Sequence, residues 1–550
     1  MIKHLYAAPV LLFIFFLFTG PALADNYPRN YNIDILHYKF ELGLSDSTDQ
    51  IKGIASITVL FKKNDLQGFR LDLANKTVAR KNNGMEVESI LQNGESIAYS
   101  HKNDALFIQL STPSVVGAEM TFTIRYHGVP SDALRIGPTK YGDRSFFTEN
   151  WPNRTRHWLP CIDHPYEKAT CEFIIKAPSH YQVVSNGLLV EETDLNATTR
   201  LTHWKQSVPV SSWLYVLGVA HFAVQYVDEV FGKSIQTWVY PQDREAGFYD
   251  FAEPTKQTME FFSEYIGPYV YEKVANIQSP SVGGGMETAS AIFYSEKLIN
   301  GKRDTRIRNI VIHELAHQWW GNAVTETTWD DAWLSEGFAT FFTLLYIEHT
   351  YGHDEYIEGL LKSKKTVFAA TAKDPNFSVI KDRTAEEEPV TSSITYQKGA
   401  WILHMLRDSI GHKNFQKGIQ SYYRRFMNAN ATTDDFRDEM EKASGKDLKA
   451  FFSQWLYRPE NPSIKGTWKY DTVKKQIIIK LEQVEKNGYL FDLPFELGLY
   501  KAGSLLPEIN KLRLNTKQAE YSIQIDNKPE SVVFDPRTVL LSEVEFVEGR

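Results

Sequence analysis

The hydrophobic period changes twice along this chain, and those changes constrain what it can fold into. In the first part, from Asp25 to about Tyr226, the pattern is mostly one of alternation. Residues 51–59 (Ile-Lys-Gly-Ile-Ala-Ser-Ile-Thr-Val) alternate over much of their length, and Phe122, Ile124 and Tyr126 share one face of the run 121–126. Alternation of this kind belongs to half-buried strands, and the Gly, Pro, Asn and Asp breaks between the runs point to an antiparallel sheet. From about Glu253 the period lengthens. Helices are predicted over 255–265 behind Pro254, over 305–320 ending at Gly321, and over 329–351 ending at Gly352. Three more are predicted over 396–410, 415–427 and 434–443. Alternation returns after Pro462, at 475–481 and 493–500, and Pro459-Glu460-Asn461-Pro462 marks the boundary. The expected fold class is multidomain α+β, with an N-terminal antiparallel β domain over 25–226, a mainly helical domain over 227–462 and a small β domain over 463–550. Three cores also suit 550 residues, since one core rarely grows beyond about 250–300 residues.

Residues 1–24 have the form of a signal peptide. Lys3 supplies the positive start, residues 5–18 are apolar, and Ala22-Leu23-Ala24 is a small-x-small cleavage site before Asp25. An uncleaved anchor is the alternative, but the run is short for a full span. No later stretch is apolar enough to cross a bilayer. The mature protein is therefore expected to be exported, periplasmic or secreted, with no membrane span. A formal charge of −8 without a dense basic run argues against nucleic acid as a partner and against anchoring on an anionic membrane. Cys161 and Cys171 are the only cysteines, too few for a Cys-rich structural zinc site. In an oxidising compartment they either form a bridge or stay as thiols, and the bridge is slightly favoured.

The candidate chemistry lies in the second predicted helix, at His313-Glu314-Leu315-Ala316-His317. Histidines four apart share one helical face, so both imidazoles can address one metal ion with Glu314 beside it. With 15 histidines in the chain, chance alone produces such a pattern in roughly a few per cent of chains of this composition. A catalytic zinc takes three protein ligands and leaves one position open. Glu336, separated from His317 by eighteen residues, is placed to return a carboxylate from a following helix. Asp331 is a candidate acceptor behind a ligand histidine, although a solvated helix acid is the blander reading. His157 and His164 read as structural, having no third partner nearby in sequence.

The longer runs His313-Glu314-Leu315-Ala316-His317-Gln318-Trp319-Trp320-Gly321-Asn322 and Trp333-Leu334-Ser335-Glu336-Gly337-Phe338 resemble the zinc aminopeptidases related to alanyl aminopeptidase and leukotriene hydrolase. The resemblance covers most of 120–460. It implies a thermolysin-like catalytic domain behind the N-terminal β domain, and a small C-terminal β-sandwich. It also implies one zinc ion on His313, His317 and Glu336. The implied reaction is hydrolysis of the N-terminal peptide bond of peptides by a metal-activated water, with Glu314 as general base. Gly284-Gly285-Met286-Glu287-Thr288 resembles the family's G-x-M-E-N segment, which implies that Gly284, Gly285, Met286 and Glu287 bind substrate and that Glu287 pairs with the free α-amine. Thr288 stands where the family usually has Asn. Tyr396-Gln397-Lys398-Gly399 resembles the Y-x-K-G segment, which implies that Tyr396 stabilises the oxyanion. The P-C-x-D-x-P segment at Pro160–Pro165 matches the family's N-terminal domain; twelve residues before Cys161, Glu149 falls near a position where relatives place Gln or Glu against the amine. Many relatives carry a helical C-terminal domain over the site. This chain has no room for one, so an open cleft, or one covered by another subunit, is expected. Two rivals remain. Glu287 argues against an endopeptidase, and Glu314 with Tyr396 argues against a non-catalytic peptide-binding protein.

Overall fold

The computed structural model describes residues 25–380, 390–486 and 488–549. The signal-peptide reading of 1–24 lies outside the described residues. The first domain is built on an eight-stranded sheet in which Ile33–Gly43 lies between Ile51–Phe61 and Ala169–Pro178. The alternation read from the sequence is the alternation of burial. Ala55, Ile57 and Val59 are buried on one strand, and Phe122, Ile124 and Tyr126 are buried on its neighbour Glu119–Val129. The sheet is antiparallel except at one place. His37–Gly43 runs parallel to Thr170–Lys176, joined through a long excursion that includes the strands Ile51–Phe61 and Glu119–Val129. A four-stranded and a three-stranded sheet complete the domain.

The slight preference for a Cys161–Cys171 bridge is corrected here, because both residues are buried free thiols. Cys161 is engaged in a backbone bridge with Asp72. Cys171 lies on the strand Ala169–Pro178, opposite Tyr38. Burial pushes both thiols well above the usual range, so they sit as small apolar groups in the core.

The second domain opens with a five-stranded sheet whose order is Ala223–Val230, Lys233–Val239, Lys273–Ser279, Ala291–Ser295, Gly285–Met286. All seven residues of Lys273–Ser279 are buried, as expected of a central parallel strand covered on both faces. Helix α1 (Arg244–Tyr265) starts ten residues before Pro254 rather than after it. Proline inside a helix removes one backbone bond, yet tertiary packing holds this helix together. A Cβ at Gly247 would meet Val239 at 2.6 Å, so the extra turns lie flush on the sheet. Helix α2 (Thr305–His317) is capped by Asp304, whose carboxylate accepts from the amides of Arg306 and Ile307.

Helix α3 (Trp333–Tyr351) begins after a 3-10 turn at Trp329–Asp331. Helix α4 (His353–Lys373) went unrecognised in the sequence because it is polar overall; only Tyr356, Leu360, Ser363 and Val367 are buried, at helical spacing. Tyr396 sits in a π-helical turn (Ile394–Lys398) that runs into α5 (Gly399–Ile410). Helices α6 (His412–Phe426), α7 (Thr433–Ser444) and the unpredicted α8 (Lys449–Leu456) follow. The last domain is a sandwich of a four-stranded and a three-stranded sheet. Phe495 and Phe534 of one sheet meet Tyr521 and Phe546 of the other at ring separations of 6.0 and 6.2 Å.

Candidate metal centre and active site

Helices α2 and α3 pack side by side, and this brings the three expected ligands together. His313 Nε2 lies 3.2 Å from His317 Nε2, and Glu336 Oε2 lies 3.4 and 3.2 Å from them respectively. Donors about 2.0–2.1 Å from a tetrahedral zinc ion stand about 3.3 Å apart, so the triangle has the dimensions of a zinc ligand face. Glu336 Oε2 is buried without a hydrogen-bond partner, which is costly unless a cation meets it. His317 Nδ1 donates to the Trp320 carbonyl at 3.1 Å and lies 3.0 Å from Ser335 Oγ. With Nδ1 engaged there, Nε2 is the ring nitrogen that faces Glu336 and can ligate a metal ion. The residues present therefore fit one zinc ion.

Electrostatics favour positive charge at this point. Burial disfavours charge on Glu336, but His317 and His313 hold its carboxyl down to about 2. Burial likewise opposes protonation of His317, but Glu287 and Glu336 push it up to about 10. Burial and the nearby Glu287 carboxylate push Glu314 well above the usual range. Three buried acids around two imidazoles make a cage for cations.

Glu287 closes the other side of His317, with Oε1 3.9 Å from Nδ1. It follows the short strand Gly285–Met286, which pairs antiparallel with Phe293 and Tyr294. The motif's second glycine has a steric reason: a Cβ on Gly285 would fall on the Glu314 carboxyl group. Gly284 has open space at the same point and lends its carbonyl to the Ser295 amide at 2.7 Å. Met286 is buried. Thr288 donates its hydroxyl to the Ala291 carbonyl and so closes the hairpin where the family's Asn stands. The backbone of Glu287 is fixed by two amides that were quoted in the motif but given no role. Gln318 Nε2 and Asn322 Nδ2 donate to its carbonyl at 2.9 and 2.6 Å. Ser335, behind His317, was passed over in the same way.

Tyr396 donates its hydroxyl to Glu336 Oε1 at 2.6 Å, and its ring stacks 6.1 Å from His313. Burial and the Glu336 carboxylate raise its phenol far above the ordinary value, so it is a neutral donor. Its turn is pinned by Lys398, whose buried Nζ donates to the carbonyls of Arg458 and Glu460 at 2.9 and 3.0 Å. Asp331 is neither a solvated acid nor a partner of a ligand histidine. It accepts from Thr433 Oγ1 at 2.6 Å at the start of α7. Glu149 lies in the β domain, where its carboxylate accepts from the Trp151 amide at 3.0 Å and pairs with Arg154. Among the described residues, His157 and His164 belong to no group able to hold a metal.

Comparison with known proteins agrees with this geometry. The model of the Peptidase M1 N-terminal domain matches residues 34–214, and that of the Peptidase family M1 domain matches 251–455. Glutamyl aminopeptidase of Rattus norvegicus is 28% identical over 497 residues, covering 84% of this chain and 52% of the relative. Probable aminopeptidase 1 of Saccharolobus solfataricus is 28% identical over 448 residues, covering 78% of this chain and 54% of the relative. The chain thus spans about half the length of these curated relatives. The crystal structure of the M1 zinc metallopeptidase from Deinococcus radiodurans shares the fold, with a TM-score of 0.68 at 24% identity, covering 80% of this chain and 98% of that one.

Proposed function

The chain belongs to peptidase family M1, and from that premise we propose that it is a zinc-dependent aminopeptidase acting on peptides with a free N-terminus. One observation carries the amine specificity. Glu287 Oε1 is buried, lacks a hydrogen-bond partner and stands beside the metal-ligand face. A buried carboxylate left in this way needs a cation, and a substrate α-ammonium supplies one at a single residue's distance from the bond to be cut.

His313, His317 and Glu336 would hold the zinc ion, which when bound supplies a Lewis acid for the scissile carbonyl and makes a water acidic enough to attack. Glu314 takes the proton from the attacking water and passes it to the leaving amine. Its raised affinity for protons suits both halves of that task. Tyr396, a neutral donor already aimed at the ligand face, gives its hydrogen bond to the carbonyl oxygen as negative charge grows there. Glu287 holds the ammonium, so only the first peptide bond comes into register. We also propose that residues 1–24 direct export and are removed, placing the enzyme in the periplasm or outside the cell. No helix among the described residues is long and apolar enough to cross a membrane.

The test is Glu287→Gln, assayed on a free-amine peptide anilide and on its N-acetyl counterpart, with bound zinc measured in both proteins. The proposal expects KM for the free-amine substrate to rise by more than about tenfold, as for a lost charge-assisted contact, with zinc content unchanged. An unchanged KM would sink it.

A further inference from the structure

Glu287 opens a tight turn, 287–291, that is held from behind by the β domain. The turn's own closure is the pair of bonds between Thr288 and Ala291, and further bonds come from outside it. Gln318, which donates to the Glu287 carbonyl, also accepts from the Ser290 amide at 3.0 Å. The β domain supplies Asn186, which lies between the strands Gln182–Ser185 and Leu188–Asn196. Asn186 Nδ2 donates to the Ala289 carbonyl at 2.7 Å and to the Leu214 carbonyl at 3.0 Å, and its Oδ1 accepts from the Val216 amide at 2.8 Å. Beside it, the Gly187 amide donates to Ser290 Oγ at 2.8 Å. Ser290 has a φ of 64°, a left-handed conformation that is uncommon for a residue with a side chain and persists where its surroundings over-determine it.

The gripping segment is itself rigid. Lys273, on the central strand of the second domain, donates through Nζ to the carbonyls of Ser185 and Gly187, both at 2.7 Å. Gly187 takes a φ of 77°, and a Cβ there would fall on the Lys205 carbonyl oxygen. Asn186 is fully buried, so no substrate can reach it. A buried amide with both ends satisfied favours one arrangement of its partners over others. Its partners are Leu214 and Val216 on one side and Ala289, two residues after Glu287, on the other. The ligand face of His313, His317 and Glu336 stands on α2 and α3, to which Asn186 makes no such bond.

We propose that Asn186 is a positioning residue for the amine anchor: gripping the turn behind Glu287 from the β domain, with the Gly187–Ser290 bond beside it, it fixes where the Glu287 carboxylate meets the substrate's ammonium. This rests on the reading of Glu287 as the amine anchor. The β domain then contributes to the choice of chain ends by shape, without touching the substrate.

The experiment compares Asn186→Ala, Asn186→Asp and Ser290→Ala, each alone and combined with Glu287→Gln. Asn186→Asp keeps the size and the acceptor for Val216 while giving up the amide donor to Ala289. Ser290→Ala loosens the same turn without altering Asn186, and carries the same comparison where an Asn186 variant does not fold. The readouts are kcat/KM on a free-amine anilide, bound zinc, and inhibition by acetohydroxamic acid, a metal-binding probe that has no amine. The expected result is a fall in kcat/KM of about fivefold for each single variant, the worth of one neutral hydrogen bond. Bound zinc and the inhibition constant stay unchanged, and no further fall occurs in the Glu287→Gln background, because the substitutions act through one group. A fall of equal size in that background overturns the proposal, as does a parallel loss of zinc or of acetohydroxamate binding, or wild-type kcat/KM in the folded variants. Failure of the amine-anchor reading itself shows elsewhere, as an unchanged KM in Glu287→Gln alone.

Discussion

Replacing Gly399 by alanine tests how the fold places the tyrosine. Helices α3 and α5 touch backbone to backbone at two glycines: a Cβ on Gly399 would lie 2.9 Å from Gly337 Cα, and a Cβ on Gly337 would lie 3.0 Å from Gly399 Cα. Carbon atoms rest comfortably at about 3.5–4.0 Å, so the helices must part by roughly 0.6–1.1 Å to admit the methyl group. Neither contact is the end of a flexible side chain, so nothing can simply swing aside. Gly337 adjoins Glu336 and Gly399 follows the Tyr396 turn, so the parting falls on the 2.6 Å bond between Tyr396 and Glu336. Stretched by that amount it reaches about 3.2–3.7 Å and ceases to be a good hydrogen bond. Overpacking of this kind costs about 1–3 kcal/mol of stability. Displacement of a catalytic group by about 1 Å costs on the order of 10²-fold in rate. We therefore expect Gly399→Ala to lower kcat by about 10–100-fold and to lower the melting temperature. Gly137→Ala, where a Cβ meets nothing within 4 Å, serves as the control. A Gly399→Ala enzyme with the kcat and melting temperature of the control would refute the reasoning.

Three further outcomes follow from the same geometry. Gly285→Ala puts a methyl group on the Glu314 carboxyl, so kcat should fall by about 10²-fold while bound zinc, measured by atomic emission, stays stoichiometric. Ser335→Ala removes the hydroxyl beside His317 Nδ1, and zinc affinity in a chelator competition should weaken about tenfold. Burial pushes the Glu167 carboxyl up to about 8 even though the Ile35 amide donates to it at 2.7 Å. The folded state therefore keeps its proton while the unfolded chain loses it near the ordinary glutamate value of about 4.3. This contribution to stability is complete below that value and is lost as pH rises toward 8. Glu167→Gln keeps the acceptor without the charge, so its melting temperature should exceed that of the wild type by an increasing margin from pH 5 to 8, with no gap at pH 4.

Much of the site could be read from the sequence because local spacing dictates it. His313 and His317 share a helix face wherever that helix goes, and one more helix returns Glu336. The alternation at 51–59 and 121–126 needed only a buried face to become strands. Features fixed by distant contacts were harder to read. Pro254 looked like a helix start, because nothing local reveals that Gly247 lies against Val239. The roles of Gln318 and Asn322 depend on a carbonyl 31 and 35 residues away. The parallel pairing of His37–Gly43 with Thr170–Lys176 joins segments far apart in the chain, and no period reports it. Helix α4 hid its narrow apolar stripe among charged residues. The state of Cys161 and Cys171 was set by their separate places in the core, on which the spacing of two cysteines is silent.

The central claim is that the face of His313, His317 and Glu336, with Glu287 beside it, makes this chain a zinc enzyme for free N-termini. The most direct measurement is hydrolysis by the purified mature protein of matched free-amine and N-acetylated peptides, each with and without chelator and with zinc restored. The account predicts release of the first residue from the free-amine set alone, abolished by chelator and recovered with about one equivalent of zinc. Internal cleavage of the acetylated peptides at a comparable rate, or turnover that chelator leaves untouched, would contradict it.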